Sequence, residues 1–123
     1  MIRNRRILAV DDEPDNVSVL KMALEDEGFA VDAFTDSLLA LSTFKPRMYD
    51  LLIFDIKMPT MNGFELYEKM KQLDNKIKVC FLTAFGEGYY EELKRRFPES
   101  SDVYFLRKPI RLNDLVKKIN EFI

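Results

Sequence analysis

Short apolar runs alternate along the whole chain with segments whose apolar residues recur at helical spacing. The runs cover residues 7–10, 29–34, 51–54, 77–82 and 103–106. The helical apolar positions are Val17, Leu20 and Leu24, then Phe64, Tyr67 and Met70, and finally Leu112, Leu115, Val116 and Ile119. Strands that alternate with helices form a parallel sheet with right-handed crossovers and helices on both faces. The sequence therefore predicts a doubly wound α/β fold with five strands and five helices.

Two residues mark helix ends. Gly28 should close the first helix, because glycine adopts the left-handed backbone conformation that often follows a helix. Asp36 should cap the start of the second helix with its side-chain oxygen.

The bulk composition favours one domain and argues against binding to polyanions. A chain of 123 residues is long enough to bury roughly two-thirds of its unfolded surface, so we expect residues 1–123 to form a single domain. The formal net charge of -2 gives no general attraction for nucleic acid or for anionic membranes. We expect direct contact with neither.

The lone cysteine and the short apolar runs indicate a cytoplasmic protein. Cys80 has no cysteine with which to form an internal disulfide, and it lies in an apolar run where a buried thiol is expected. The sequence contains no segment that approaches the ~18 apolar residues of a membrane span. The first apolar run, at residues 7–10, is too short for the core of a signal peptide.

Polar residues follow four of the five apolar runs, at the points where the predicted strands end. They are Asp11 and Asp12, Asp55, Thr83, and Lys108. Ligands of open parallel sheets bind outside the carboxyl ends of the strands, so these side chains are candidate functional residues. Three carboxylates in one crevice repel one another unless a pKa rises, a cation such as Lys108 pairs with them, or they hold a hard divalent ion. Among such ions, Mg²⁺ suits them best.

These side chains together could accept a phosphoryl group. The carboxylate of Asp55 could act as a nucleophile toward phosphorus and form an acyl phosphate, provided that a metal and Lys108 offset the charge of the incoming oxygens. The hydroxyl of Thr83 could donate a hydrogen bond to a phosphoryl oxygen. Taken singly, each residue has a simpler interpretation as a helix cap, a turn residue or a solvated lysine. Their conjunction at four strand ends favours the phosphoacceptor hypothesis.

Four motifs occur in a fixed order along the chain. They are Ile-Leu-Ala-Val-Asp-Asp-Glu-Pro at 7–14, Asp-Ile-Lys-Met-Pro-Thr-Met-Asn-Gly at 55–63, Leu-Thr-Ala at 82–84 and Lys-Pro at 108–109. In identity, order and spacing they resemble the receiver domains of two-component response regulators, of the stand-alone single-domain type. The resemblance implies a flavodoxin-like sheet with the strand order 2-1-3-4-5, an order that also belongs to this fold in general.

The resemblance also implies how the phosphoryl group is received. Asp55 would be phosphorylated by a sensor histidine kinase or a phosphotransfer protein. Asp12, Asp55 and the backbone carbonyl of Lys57 would bind Mg²⁺, with Asp11 assisting through water.

The resemblance also implies which residues transmit the effect of phosphorylation. Thr83 would be the switch hydroxyl, Phe105 the aromatic switch residue, and Lys108 the residue that contacts the phosphoryl group. The peptide bond before Pro109 would be cis. The predicted output is a changed surface on the fourth helix, fifth strand and fifth helix, bound by an unidentified downstream protein. Residues 93–102 depart from the family pattern.

Three alternatives stay open. A flavodoxin would share the fold, but its phosphate loop needs hydroxyls and glycines where this chain has acids at 11–13. A phosphatase or phosphomutase that forms an aspartyl phosphate would carry an acid two residues after its nucleophile, where Lys57 stands. We therefore expect no enzymatic activity. The third alternative is a receiver-like interaction module that is never phosphorylated.

Overall fold

The strands and helices follow one another in the predicted order. The structure is a computed structural model that describes residues 5–84, 91, 94–95 and 102–123. Its strands are β1 (Arg6–Val10), β2 (Ala30–Phe34), β3 (Leu51–Asp55), β4 (Val79–Thr83) and β5 (Val103–Arg107). The helices whose bounds lie within the described residues are α1 (Pro14–Asp26), α2 (Ser37–Thr43), α3 (Gly63–Leu73) and α4 (Leu112–Phe122), the last of which is the fifth helix of the prediction. Each predicted strand agrees with the observed one to within two residues at either end.

All five strands form one parallel sheet in the order β2-β1-β3-β4-β5. This is the fold class and strand order that the sequence and its family resemblance predicted. Because β1 lies between β2 and β3, the winding direction reverses there, and the crevice for ligands opens at the carboxyl ends of β1 and β3. The fold therefore brings the two aspartate-bearing segments together.

The sheet has a core on each face. Successive side chains of a strand point to opposite faces, so Leu52 and Phe54 pack on the side of α2 and α3. Leu51 and Ile53 pack on the side of α1 and α4. Cys80 belongs to the second core and is fully buried, as predicted, and burial raises the pKa of its thiol. The sheet is thus covered on both faces, and its carboxyl-terminal edge is left for chemistry.

The helices bury the faces that their apolar spacing predicted, with one exception. Val17, Leu20 and Leu24 of α1, Phe64, Tyr67 and Met70 of α3, and Leu115, Val116 and Ile119 of α4 are buried. Leu112 is 41% exposed, so the apolar face of α4 is not buried at the first residue of the helix. It is the first residue of α4 and lines a groove between α1 and α4 instead of the core.

Both predicted helix ends are confirmed. Gly28 follows α1 with a φ of 96°, in the left-handed region that favours glycine. The carboxylate of Asp36 accepts hydrogen bonds from the backbone N–H groups of Leu38 and Leu39, at 2.9 and 3.4 Å, and so caps α2.

Most of the helix predicted between β4 and β5, and most of the segment 93–102, lies outside the described residues; residues 91, 94 and 95, which are described, are helical. The predicted change at the surface of this helix therefore stays a prediction. Among the residues that the structure describes, no helix is both long enough and apolar enough to cross a membrane.

Candidate functional site

Three carboxylates meet where β1 and β3 end. Asp11 and Asp12 directly follow β1, and Asp55 is the last residue of β3. One oxygen of each carboxylate lies within 4.8 Å of the others. The three acids that the sequence singled out therefore form one cluster, although Asp55 is far from the other two along the chain.

Lys108 is bound to this acidic cluster. Its Nζ lies 3.2 Å from Oδ2 of Asp11 and 3.6 Å from Oδ1 of Asp55. Its backbone N–H donates to the carbonyl oxygen of Thr83 at 2.7 Å, which fixes the loop after β5 against the end of β4. The bond between Lys108 and Pro109 is cis, as the family resemblance implied. Pairing with a cation such as Lys108 is one of the ways in which we expected the repulsion among the three carboxylates to be reduced.

Burial makes Asp55 reluctant to ionise, and the neighbouring acids add to the effect. The Asp55 side chain is only 15% exposed, and burial is the main reason why its pKa is raised. Lys108 acts in the opposite direction and lowers this pKa, while Asp11 and, more weakly, Asp12 raise it. A hydrogen bond of 3.0 Å from the backbone N–H of Ile56 also favours the ionised form. Burial, together with the neighbouring acids, therefore outweighs the effect of Lys108 on the pKa of Asp55.

The cluster borders an open cleft whose donor atoms suit a hard cation. The cleft has a volume of about 800 Å³, and Asp12, Asp55, Lys57, Pro59 and Lys108 are among the residues that line it. Oxygen donors in excess of nearby positive charge are what Mg²⁺ and Ca²⁺ require. The residues present therefore fit the predicted metal. The part assigned to the carbonyl of Lys57 stays a prediction.

The two predicted switch residues lie on β4 and β5 and are buried. Thr83 ends β4, the strand next to β3, and is fully buried. Phe105 on β5 is 6% exposed, and its ring stacks on Phe81 with 5.6 Å between the ring centroids. Phe105 thus has the core position that an aromatic residue in a strand normally takes. Its role as a switch stays a prediction.

Gly63 is a structural part of the site whose role the sequence analysis missed. It begins α3, and its backbone N–H donates to the carbonyl oxygen of Ile56 at 2.8 Å. A methyl group built on Gly63 would overlap the backbone carbonyl oxygen of Asp55 and would lie 3.1 Å from Cα of Ile56. A glycine is therefore required here for α3 to approach the phosphoacceptor candidate closely. The sequence feature that could have indicated this role is a glycine at the start of a helix, directly after the capping residue Asn62.

Comparisons with known proteins agree with this geometry. Residues 7–120 match the family described as "Response regulator receiver domain". The chain is 42% identical over 86 residues to the sensor protein EvgS of Escherichia coli strain K12, a match that covers 70% of this chain but 7% of that protein. It is 32% identical over 122 residues to the response regulator receiver protein CpdR of Brucella abortus, with 97% of each chain covered.

A solved structure supports the same assignment. The CheY-like response regulator receiver domain protein of Methanospirillum hungatei JF-1 superposes with a TM-score of 0.83 at 30% identity, covering 97% of this chain and 93% of the other. The family match spans nearly all of the chain and includes every residue of the acid and lysine cluster. The chain therefore belongs to the response regulator receiver family of two-component signalling.

Proposed function

We propose that this receiver is a phosphoacceptor switch, in which Asp55 takes a phosphoryl group from a sensor histidine kinase or a phosphotransfer protein. The observation that carries this proposal is the meeting of Asp11, Asp12, Asp55 and Lys108 at one edge of the sheet. In such an arrangement a nucleophilic carboxylate, a point positive charge and oxygen ligands for a cation surround one open cleft.

Each side chain of the site has a role in the proposed phosphoryl transfer. A carboxylate oxygen of Asp55 forms a bond to phosphorus while the bond between phosphorus and the donor's leaving group breaks. The ammonium of Lys108, already 3.6 Å from Asp55, pairs with an oxygen of the transferred group. Asp12, Asp55 and the carbonyl of Lys57 would hold Mg²⁺, with Asp11 assisting. When bound, this ion supplies positive charge opposite the phosphoryl oxygens.

The proposed output is a change of surface that a downstream protein recognises. The hydroxyl of Thr83 is buried in this conformation, so engaging a phosphoryl group on Asp55 would require local movement at the end of β4. Phe105, also buried, would respond to that movement. The proposed site of action is the cytoplasm, and the proposed partners are proteins, with no direct contact to nucleic acid or membrane.

We propose that the protein is not itself an enzyme. The side chain two residues after Asp55 is that of Lys57, which is exposed and basic, whereas an aspartyl-phosphate phosphatase uses an acid there. Incubation with a small phosphodonor separates three possibilities: such a phosphatase, the phosphoacceptor switch, and a receiver-like module that is never phosphorylated.

Incubation with acetyl phosphate and Mg²⁺ should add one phosphoryl group to the protein, as measured by intact-protein mass spectrometry. Addition of EDTA should prevent the mass gain, because the acidic cluster alone repels the anionic donor. Catalytic release of inorganic phosphate without a persistent mass gain would indicate the phosphatase. No mass gain and no phosphate release would favour the unphosphorylated module.

Asp12→Ala should weaken Mg²⁺ binding. Loss of a proposed ligand should cost at least the roughly 10-fold in affinity that loss of a supporting partner costs at other metal sites. Isothermal titration calorimetry measures this directly. Asp15→Ala is the matched control, because it removes the same charge from the first turn of α1, outside the acid cluster. Equal affinities in the two variants would contradict the part assigned to Asp12.

A further inference from the structure

A buried hydroxyl connects α2 with the loop that follows Asp55. Ser37, the first residue of α2, is 4% exposed, and its Oγ donates a hydrogen bond of 2.9 Å to the carbonyl oxygen of Met61. The other buried polar or charged residues in the described part of the chain are Asp11 and Thr83, and both belong to the proposed site. A polar group is buried at little cost only where it is hydrogen-bonded. Loss of the hydrogen bond to Met61 would therefore cost free energy, which keeps this contact in place.

Met61 closes a turn with a rare backbone conformation. Its N–H donates to the carbonyl oxygen of Pro59 at 2.7 Å, which encloses Thr60 in a three-residue γ-turn. Thr60 has a φ of 69°, and this left-handed region is unfavourable for a β-branched residue. A turn of this type is strained, so it persists only where surrounding contacts hold it. The hydroxyl of Ser37 provides such a contact on the carbonyl of the residue that closes the turn.

The segment that leads from Asp55 into this turn lines one side of the cleft. The segment is fixed at its far end by the hydrogen bond of 2.8 Å from Gly63 N–H to the carbonyl oxygen of Ile56. Lys57, which lies between Asp55 and the turn, and Pro59, the first residue of the turn, both line the cleft. A change in the turn around Thr60 therefore shifts the backbone that faces the acidic cluster.

We propose that Ser37 is a positioning residue for the phosphoacceptor site: its hydroxyl holds the strained turn around Thr60 and thereby the backbone of Lys57. The effect on metal binding rests on the proposed function, because it requires the Lys57 carbonyl to be a ligand. The link between Ser37 and the turn rests on geometry alone. The two parts are therefore tested by different measurements.

Ser37→Ala should change both the turn and the metal site. In the metal-free protein, the N–H of Met61 should exchange with solvent about 2- to 10-fold faster, the factor that corresponds to loss of one hydrogen bond. The dissociation constant for Mg²⁺, measured by calorimetry, should rise about 2- to 10-fold for the same reason. The rate of phosphorylation at saturating Mg²⁺ should stay close to that of the wild type.

Tyr49→Phe is the matched control for loss of a hydroxyl in the core. The hydroxyl of Tyr49 donates to Asp32 at 2.7 Å, and this residue precedes β3, at the end opposite Asp55. The variant should lower overall stability without changing Mg²⁺ affinity. An equal loss of affinity in Tyr49→Phe would mean that Ser37 acts only through general stability, and would overturn the proposal.

Rescue at Thr60 tests the mechanical link. Glycine adopts a positive φ without strain, so Thr60→Gly in the Ser37→Ala background should restore both the Mg²⁺ affinity and the slow exchange of Met61. Ser37→Cys retains the shape with a weaker donor, and it should give an intermediate effect even if Ser37→Ala fails to fold.

Besides an equal loss of affinity in Tyr49→Phe, three further results would overturn the role of Ser37. They are unchanged Met61 exchange in Ser37→Ala or Ser37→Cys, unchanged Mg²⁺ affinity in these variants, and the absence of rescue by Thr60→Gly. Failure of the proposed function has a different signature. In that case the wild-type protein takes up no phosphoryl group from acetyl phosphate, while Met61 exchange still responds to Ser37.

Discussion

Asp55→Asn should abolish uptake of a phosphoryl group from acetyl phosphate, with a fall in rate of at least about 1,000-fold, the scale expected when a nucleophile is removed. The amide has the shape of the carboxylate but is a poor nucleophile. It also accepts and donates hydrogen bonds, so the contact with the backbone N–H of Ile56 can be kept. Intact-protein mass spectrometry over time measures the effect.

A matched control separates loss of the nucleophile from loss of charge. Asp15→Asn makes the same substitution in the first turn of α1, and it should be phosphorylated at the wild-type rate. Persistent addition of one phosphoryl group to Asp55→Asn would assign the acceptor to another residue, and the account of the site would be wrong.

The same substitution of Asp55 should raise thermal stability in metal-free buffer at neutral pH. Burial, together with Asp11 and Asp12, raises the pKa of Asp55, so the folded protein prefers the protonated carboxyl. The stability from this preference is present below the carboxyl's usual pKa and is lost as pH rises through the raised value. The amide that replaces the carboxyl does not ionise over this range. The stability advantage of the variant should therefore grow from acidic to neutral pH. An advantage that shrinks as pH rises would contradict the electrostatic account.

Gly63→Ala should both destabilise the protein and slow phosphorylation. The added methyl group would overlap the carbonyl oxygen of Asp55, and this backbone atom cannot rotate away as a flexible side chain could. Overpacking of this kind costs about 1–3 kcal/mol in the free energy of unfolding. Relief of the overlap requires α3 or the end of β3 to move, and Asp55 moves with it. Denaturant unfolding and the phosphorylation rate measure the two effects.

Gly28→Ala separates the effect on stability from the effect on the site. Gly28 has a φ of 96°, and a methyl group built on it meets no atom within 4 Å. Alanine in this conformation costs about 1–2 kcal/mol through the backbone alone. The variant should lose stability but retain its phosphorylation rate. If Gly63→Ala also retained its rate, close packing of α3 against Asp55 would be irrelevant to the site.

Much of the fold follows from local patterns in the sequence. The period of the apolar residues identifies the strands and the buried helix faces, because burial selects one face of each element. Asp36 and Gly28 mark helix ends through local backbone chemistry alone. The residues at the strand ends could be collected into one site because parallel strands present their carboxyl ends at one edge. The strand order and the cis bond before Pro109 needed the family resemblance.

The features that sequence reasoning missed depend on contacts between distant parts of the chain. The hydroxyl of Ser37 reaches Met61, 24 positions further along, and nothing in the sequence around Ser37 distinguishes it from a second capping residue. Gly63 was part of a recognised motif, but the sequence does not show why a glycine is needed there. The reason is that the backbone of Asp55 packs directly against it. Leu112 fits the helical period, yet it begins its helix beyond the edge of the core.

Chemical mapping of the acceptor residue determines whether Asp55 carries the phosphoryl group. Protein treated with acetyl phosphate and Mg²⁺ is reduced with borohydride, which converts an aspartyl phosphate to homoserine and releases inorganic phosphate. Peptide mass spectrometry then locates the homoserine. We expect homoserine at position 55 and at no other aspartate. Homoserine at position 11 or 12, or a stable phosphate ester on Thr83, would show that Asp55 is not the acceptor.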